Sequence, residues 1–145
     1  MLEKLRLIND KFLVNTPGEF SAYNSVCAIM VTNYLGCNIS SIKKALSRVA
    51  VKGRMEIVPV SDKYSVIIDY AHSHLEFEKV MEYLNRHSNS NLIVVVGAGG
   101  MRNTFNRSFI GQVTTSNSSK VIFTEDNSRT EDVKKIISDL IFEQV

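Results

Sequence analysis

The sequence predicts an α/β fold in which helices flank a parallel sheet, preceded by a short helical piece. Beyond residue 50, short runs rich in β-branched residues alternate with amphipathic stretches of helical periodicity. These runs are apolar on both faces, which is typical of parallel strands joined by right-handed helical crossovers. We therefore divide the chain into a helical piece, residues 1–50, a junction, residues 51–56, and an open α/β domain, residues 57–145.

The first fifty residues are predicted to form short strands and two helices. Weak alternation over residues 1–16 predicts one or two strands. Their expected inward residues are Leu5, Leu7, Phe12 and Val14. Apolar residues recur every three or four positions over residues 23–35, and Gly36 ends this helix. Ser40 and Ser41 begin the second helix with a serine cap. Its expected inward residues are Ile42, Ala45, Leu46 and Val49.

The α/β domain is predicted to alternate strands with helices. The strands are expected at residues 64–69, 92–96 and 121–124. The helices are expected at residues 75–87, at about 108–116 and at 131–143. The last helix carries an apolar stripe formed by Val133, Ile136, Ile137, Leu140 and Ile141.

Composition restricts the class of protein and of partner. The 145 residues are 44% hydrophobic and 22% charged, which is typical of a soluble globular protein. Seventeen basic and fifteen acidic side chains leave a net charge of +2, too small to favour nucleic acid or an anionic membrane as partner. No apolar run approaches the ~20 residues of a membrane span, and the charged N-terminus does not resemble a signal peptide. We therefore expect a cytoplasmic protein. Without a CxxC motif or clustered histidines, Cys27 and Cys37 are expected to be buried reduced thiols.

Ligands of open parallel sheets bind beyond the carboxyl ends of the strands. Three loops follow predicted strands, at residues 69–72, 97–107 and 125–129. Asp69 can hold a ribose hydroxyl or a metal-bound water; alternatively, Asp69 and His72 cap the next helix. Residues 97–100, Gly-Ala-Gly-Gly, can bring the backbone close to a phosphate or a carboxylate, or form only a tight turn. Arg102 excludes the dinucleotide motif G-x-G-x-x-G, and no Gly-Lys-Ser/Thr follows.

The third loop combines an acceptor, an amide and a planar cation in Asp126, Asn127 and Arg129. Because arginine binds carboxylates with two parallel hydrogen bonds and aspartate can hold an ammonium, this set suits an amino acid. Alternatively, Asp126 or Asn127 is a helix N-cap and Arg129 is solvated. Arg54, in the junction, suits a phosphate, although a lone surface arginine needs no ligand.

Together these motifs resemble a known family. In chain order they are Phe20-x-x-Tyr23-Asn24-x-x-x-Ala28, Gly53-Arg54-Met55-Glu56, Asp69-Tyr70-Ala71-His72, Gly97-Ala98-Gly99-Gly100-x-Arg102-x4-Arg107 and Asp126-Asn127-x-Arg129-x-Glu131-Asp132. From about residue 12 to residue 141, the chain resembles the UDP-N-acetylmuramoyl-dipeptide ligase branch of the Mur ligases. The resemblance implies that residues 1–50 end a central, ATP-binding domain and that residues 57–145 are part of a Rossmann-like C-terminal domain that binds the amino acid.

The resemblance also implies a reaction and its participants. In this family ATP phosphorylates the carboxylate of a UDP-linked muramoyl peptide, and the amine of an incoming amino acid attacks the acyl phosphate, while Mg²⁺ neutralises the transferring phosphate. The implied cofactors are ATP and Mg²⁺. The implied partners are small molecules of peptidoglycan synthesis, namely ATP, a UDP-muramoyl dipeptide and a diamino acid. Neither nucleic acid nor a membrane is implied.

Site residues carry over from the family by position. Asn24 matches a contact to adenine, and Arg54 and Asp69 match residues that hold the phosphate and the ribose of ATP. The positions that match the substrate pocket are His72, Arg102, Asp126, Asn127 and Arg129. Within the family pattern, Arg129 favours meso-diaminopimelate over L-lysine, because a second carboxylate needs that cation. No catalytic residue and no metal ligand is assigned.

The sequence departs from the family pattern in the loop after its glycines. Met101 and Asn103 stand in place of aspartates, and His74 and Ser128 in place of prolines. The family's phosphate-binding loop, carbamylated lysine and UDP-binding domain lie upstream of the matched region, and a Lys-Gly-His-Glu element lies downstream. We therefore expect no turnover from these residues alone.

Two alternatives to part of a dipeptide ligase remain open on the sequence. One is a short, non-catalytic binding module of the same ancestry, which the changed glycine loop favours. The other is a different ligase of the superfamily, of the folyl-polyglutamate or muramoyl-tripeptide type. In each case an incomplete sheet leaves open strand edges, which favour self-association.

Overall fold

The computed structural model describes residues 3–7, 10–88 and 90–141. The chain forms two compact units, Met1–Tyr70 and Ala71–Val145. The side chains of Leu5 and Leu7, which are predicted to face inward, lie outside the described residues.

The first unit contains two antiparallel hairpins and two helices. Its elements are β1 (Glu3–Leu7), β2 (Asp10–Val14), α1 (Glu19–Tyr34), α2 (Ile39–Leu46), β3 (Glu56–Pro59) and β4 (Ser65–Ile68). β1 pairs with β2, and β3 pairs with β4. The strands predicted over residues 1–16 are confirmed, and Phe12 and Val14 are buried as predicted.

The core of the first unit packs β2 against both helices. It is formed by Phe12, Ile29, Ile42 and Leu46. The helix α2 begins with Asn38, whose Oδ1 accepts a hydrogen bond from the Ser40 N–H at 2.8 Å, so the predicted serine cap is wrong. Ala45 and Val49 are exposed rather than buried, since Ile42 and Leu46 occupy the inward face and Val49 follows the end of the helix.

The helix α1 ends as predicted at Gly36. Gly36 has a φ of 82°, and the N–H groups of Gly36 and Cys37 each donate to carbonyls of the last helical turn at 3.0 Å, on Asn33 and Thr32. These two bonds form a Schellman motif, which requires a left-handed residue and therefore favours glycine. The start of α1 lies at Glu19 rather than at residue 23.

α1 buries only one narrow face. Its buried residues are Ser21, Ser25 and Ile29. Its exposed apolar residues are Tyr23, Met30, Val31 and Tyr34, the last 90% exposed. Cys27 and Cys37 are also exposed, so the prediction of two buried thiols is wrong. The apolar residues of α1 are not confined to the face that packs, so their spacing does not show which face is buried, and this is why Cys27 is misplaced.

The hairpin of β3 and β4 is only half predicted. β4 lies within the predicted strand, and Ile57 in β3 stands opposite Ile67 in β4. The pattern does not predict β3, whose four residues end in Pro59, because proline is disfavoured within sheets.

The second unit alternates helices and strands. Its elements are α3 (His74–His87), β5 (Ile93–Val96), α4 (Phe105–Ser116), β6 (Lys120–Phe123) and α5 (Val133–Ile141). β5 and β6 pair in parallel, with Val95 opposite Ile122, which confirms the predicted parallel arrangement of an α/β fold for these two strands. The strand predicted at residues 64–69 was expected in the same parallel sheet, and this is wrong, because β4 pairs antiparallel with β3. The last predicted helix extends to residue 143, of which residues 142 and 143 lie outside the described residues.

Helices cover one face of the β5–β6 pair. The core consists of Val96, Ala98, Ile110, Ile136 and Leu140, with Phe77, Val94, Val121 and Phe123 packed against it. Burial of this face fixes β5 and β6, and hence the two loops that leave their carboxyl ends, relative to α4 and α5. Among the described residues, no helix is long and apolar enough to cross a membrane.

Candidate functional site

The loops that follow β5 and β6 contact each other closely. We call residues 97–102 the glycine loop and residues 125–129 the aspartate loop. The Gly100 N–H donates to the Asn127 carbonyl at 2.8 Å. A Cβ at Gly100 would lie 1.9 Å from the Ser128 carbonyl oxygen, and one at Gly97 would lie 2.7 Å from the Thr124 carbonyl oxygen. Gly97 and Gly100 therefore let the two backbones approach, a role that is not predicted from the sequence.

A buried arginine lies beneath the glycine loop. Arg107, in the first turns of α4, is 1% exposed. Its Nη1 and Nη2 donate to the two carboxylate oxygens of Glu131, each at 2.7 Å. Nη1 also donates to Asp139 at 2.8 Å, and Nη2 donates to the Gly99 carbonyl at 3.2 Å. A buried arginine is tolerated only when it is paired in this way, so Arg107 is a structural centre of this unit.

Glu131 joins this arginine to the glycine loop. Its Oε2 also accepts a hydrogen bond from the Met101 N–H at 2.9 Å. The hydrogen bond from Arg107, followed by that from Met101, lowers the pKa of Glu131 from 4.5 to about 2. For Asp139, burial raises the pKa, but the hydrogen bonds from Arg107 and Lys135 outweigh burial and the pKa is lowered.

Three non-glycine residues among those described have positive φ. They are Met55 at 45°, Met101 at 55° and Arg129 at 53°. Arg129 is itself a predicted site residue, and the other two adjoin the predicted site residues Arg54 and Arg102. Left-handed backbone is unfavourable for these residue types and persists where the surroundings fix it, as is common at functional sites.

The predicted substrate residues of the two loops are exposed. They are Arg102, Asp126, Asn127 and Arg129. The Arg102 side chain runs beside Gly99, where a Cβ would lie 3.7 Å from its Cδ. α5 begins at Val133, and the carboxylate of Asp132 accepts from the Lys134 N–H at 3.0 Å. The alternative in which Asp126 or Asn127 caps this helix is therefore wrong.

His72 lies at the start of α3. The N-cap of α3 is Ser73, which forms a capping box with Glu76, so neither Asp69 nor His72 is the cap. The His72 N–H donates to Glu76 at 2.9 Å, and its Nδ1 lies 3.1 Å from the same carboxylate oxygen. Burial raises the pKa of Glu76, but the hydrogen bonds from His72 and Ser73 outweigh it and the pKa is lowered.

The predicted ATP residues all lie in the first unit. Asn24 is exposed on α1. The Asp69 carboxylate accepts from the Met55 N–H at 2.8 Å, and the exposed Arg54 guanidinium lies 5.2 Å from the ring centroid of Tyr70. The structure therefore brings the junction, residues 51–56, next to the end of β4, and Asp69 fixes the residue that follows Arg54.

Arg107 and Glu131 both stand in the motifs of the sequence, but no role is predicted for them there. A signal was present, because Arg107, Ile110, Gly111 and Thr114 follow helical spacing and share the buried face of α4. A cation on the apolar stripe of a helix indicates a buried ion pair.

A resident metal does not fit the described residues. No group of three or more histidine, cysteine, aspartate or glutamate side chains among them is arranged to hold a metal ion. Any Mg²⁺ of the reaction would therefore need ligands from ATP or from other residues.

Comparison with known proteins decides the family. The profile described as "Mur ligase, glutamate ligase domain" matches residues 53–145, more than half of the chain. The chain belongs to the Mur ligase family. This confirms the resemblance and the α/β class predicted from the sequence.

Relatives in this family share the dipeptide-ligase name. The chain is 38% identical over 131 residues to the UDP-N-acetylmuramoyl-L-alanyl-D-glutamate–2,6-diaminopimelate ligase of Caldanaerobacter subterraneus subsp. tengcongensis. It is 40% identical over 131 residues to the ligase of the same name from Aquifex aeolicus. Each match covers 90% of this Mur ligase chain and 27% of the relative. The chain thus spans about a quarter of the length of these relatives.

Solved structures agree with the fold. A structure of a ligase of the same name matches 98% of this chain and 30% of its own, with a TM-score of 0.59 and 28% identity. Folylpolyglutamate synthase of Mycobacterium tuberculosis matches with a TM-score of 0.73 over 97% of this chain and 35% of its own. Its 19% identity shows a common fold alone.

Proposed function

We propose that this Mur ligase chain is the diamino-acid-binding part of an ATP-dependent amide-bond ligase. The ligase would add meso-diaminopimelate, in preference to L-lysine, to UDP-N-acetylmuramoyl-L-Ala-D-Glu through an acyl phosphate in cytoplasmic peptidoglycan synthesis. The observation that carries the proposal is the contact between the two loops at Gly100 and Asn127, since each loop bears an exposed arginine.

The exposed groups of these loops match the charges of a diamino acid. Arg102 and Arg129 offer two guanidinium groups, each able to bind a carboxylate with two parallel hydrogen bonds. Asp126 offers an acceptor for an ammonium group. meso-Diaminopimelate carries a carboxylate and an ammonium at each end, whereas L-lysine lacks the second carboxylate. Two arginines on adjoining loops therefore favour diaminopimelate.

The changed residues in the glycine loop and directly after it have local partners. The Met101 N–H donates to Glu131, and Asn103 Oδ1 accepts from the Phe105 N–H at 3.1 Å at the start of α4. These contacts order the loop without the carboxylates that the family pattern has there. The departures from the pattern are thus compatible with a formed binding loop.

The proposed ATP contacts belong to the first unit. Arg54 would pair with a phosphate, Asp69 with the ribose and Asn24 with the adenine of ATP, which would supply the phosphoryl group. The Met55 N–H bound to Asp69 supports this assignment, because it fixes the backbone next to Arg54. Self-association through strand edges is a further expectation, which sedimentation of the purified chain would check.

Calorimetric titration of the purified chain tests the proposed substrate. We expect meso-diaminopimelate to bind at least ten times more tightly than L-lysine. We expect Arg129→Ala to weaken the binding of diaminopimelate by about 10- to 100-fold, because a charge-assisted hydrogen bond is lost. Arg86→Ala removes an exposed guanidinium from α3, outside both loops, and is the control. Equal binding of both amino acids, or indifference to Arg129→Ala, would contradict the proposal. Preference for glutamate would indicate a folyl-polyglutamate type of ligase instead.

A further inference from the structure

We propose that Glu131, held by the buried Arg107, is the positioning residue of this site, which fixes the glycine loop and the aspartate loop to each other. It contacts both loops, and both loops carry residues assigned to the diamino acid. The ligand part of the inference rests on the proposed function, whereas the positioning part stands on the geometry of this chain alone.

The side chain of Glu131 binds the glycine loop. Its Oε2 accepts from the Met101 N–H at 2.9 Å. The backbone of Met101 is in the left-handed region, which is unfavourable for a residue that has a Cβ. The Glu131 carboxylate therefore stabilises the left-handed conformation of Met101. This conformation sets the direction of the backbone at the next residue, Arg102.

The backbone of Glu131 binds the aspartate loop. Its N–H donates to the Ser128 carbonyl at 3.0 Å, next to the left-handed Arg129. A second hydrogen bond, from the Gly100 N–H to the Asn127 carbonyl, joins the glycine loop directly to the aspartate loop. One residue thus restrains the backbones that precede Arg102 and Arg129.

Arg107 holds the Glu131 carboxylate in place. Both oxygens of that carboxylate accept from the guanidinium, and the 15% exposure of the Glu131 side chain leaves it little freedom. Arg107 also donates to the Gly99 carbonyl at 3.2 Å, so the arginine supports the loop from beneath. In contrast, the interactions described for Asp139 are with Arg107 and Lys135, and all three residues lie on helices.

Substituting the carboxylate with an amide separates positioning from general packing. In Glu131→Gln, the NH₂ group must face an Arg107 donor in either orientation, and in one of them also the Met101 N–H, because both oxygens of Glu131 accept from Arg107 and Oε2 also accepts from Met101. Asp139→Asn is the matched control, because it weakens Arg107 pairing without touching either loop. The readouts are amide hydrogen exchange at Gly100 and Met101, thermal unfolding, and diaminopimelate affinity.

We expect Glu131→Gln to accelerate amide hydrogen exchange at Gly100 and Met101 at least tenfold and to weaken the binding of diaminopimelate at least tenfold. We expect Asp139→Asn to change both quantities by less than twofold at a similar midpoint of unfolding. Equal exchange in the two variants, or exchange unchanged from the wild type, would overturn the positioning role. If Glu131→Gln does not fold, Glu131→Asp takes its place, because the shorter side chain keeps the charge beside Arg107 but falls short of Met101. If the wild-type chain does not bind diaminopimelate, the proposed function is wrong. The exchange data would still show whether Glu131 positions the two loops.

Discussion

The N–H of Gly100 donates to the carbonyl of Asn127 across 2.8 Å, and the Cα of Gly100 faces the next carbonyl, that of Ser128. These residues come from different strand-end loops of the β5–β6 pair. Their contact requires glycine at position 100, because any side chain would begin inside the opposing backbone. The two loops of this Mur ligase chain therefore interlock through their backbones.

Gly100→Ala is expected to destabilise the protein much more than Gly99→Ala. A Cβ at Gly100 would meet backbone at 1.9 Å, so one loop must move, which costs about 1–3 kcal/mol or more. At Gly99 the nearest atom is 3.7 Å away, on the flexible Arg102 side chain, and the cost should be within about 0.5 kcal/mol. Urea unfolding of both variants measures this difference. Equal destabilisation would show that the loops are not interlocked in solution.

Replacing Arg129 separates its backbone role from its side-chain role. Arg129→Gly and Arg129→Ala both remove the guanidinium and should both weaken diaminopimelate binding. Because φ is 53° at this position, the glycine variant should be more stable than the alanine variant by about 1 kcal/mol. Thermal or urea unfolding of the glycine and alanine variants measures which of the two is more stable. An alanine variant as stable as the glycine variant would argue against a left-handed residue here.

The stability supplied by Glu131 should disappear in acid. Its pKa is about 2 in the folded protein and 4.5 ordinarily, so the unfolded chain takes up a proton first as the pH falls. The stabilisation is therefore complete above about pH 5 and is lost progressively as the pH decreases from 4.5 toward 2. Urea unfolding of the wild type and of Glu131→Gln at pH 7, 6, 4 and 3 measures the difference in free energy of unfolding between them. The difference between them should be constant at the two higher values and shrink at the two lower ones; a difference independent of pH would refute the assignment.

The purified 145-residue chain should release no phosphate above background. With ATP, UDP-muramoyl dipeptide, meso-diaminopimelate and Mg²⁺ present, a malachite-green assay would measure this. The physical reason is that no Gly-Lys-Ser/Thr occurs in these residues to surround the β- and γ-phosphates. Turnover that is lost on Arg54→Ala would show that the chain holds the phosphates by itself.

Local patterns predicted most elements of the fold. The five helices and all strands except β3 lie where periodicity or β-branched runs place them, within a few residues. Gly36 was identified as the end of α1, since a left-handed terminal residue is a property of the local chain. The burial of Phe12 and Val14 also followed from alternation alone.

Errors occurred where the local pattern was weak or ambiguous. The prediction that Cys27 and Cys37 are buried is wrong, because the apolar residues of α1 do not mark the face that packs and Cys37 follows the end of that helix. Asn38 rather than Ser40 caps α2, although both residue types are good caps and the sequence offers no means to choose.

The sequence by itself determined the family, the order of the elements and the residue types at the two loops, because these depend on short stretches of chain and on a match of motifs in order. Only the tertiary structure decided what holds the loops together. The glycines make room for a neighbouring backbone, and Arg107 reaches Glu131, 24 positions away, and Asp139, 32 positions away. Contacts between such distant positions arise from the packing of α4 and α5 on the sheet, which no local pattern encodes.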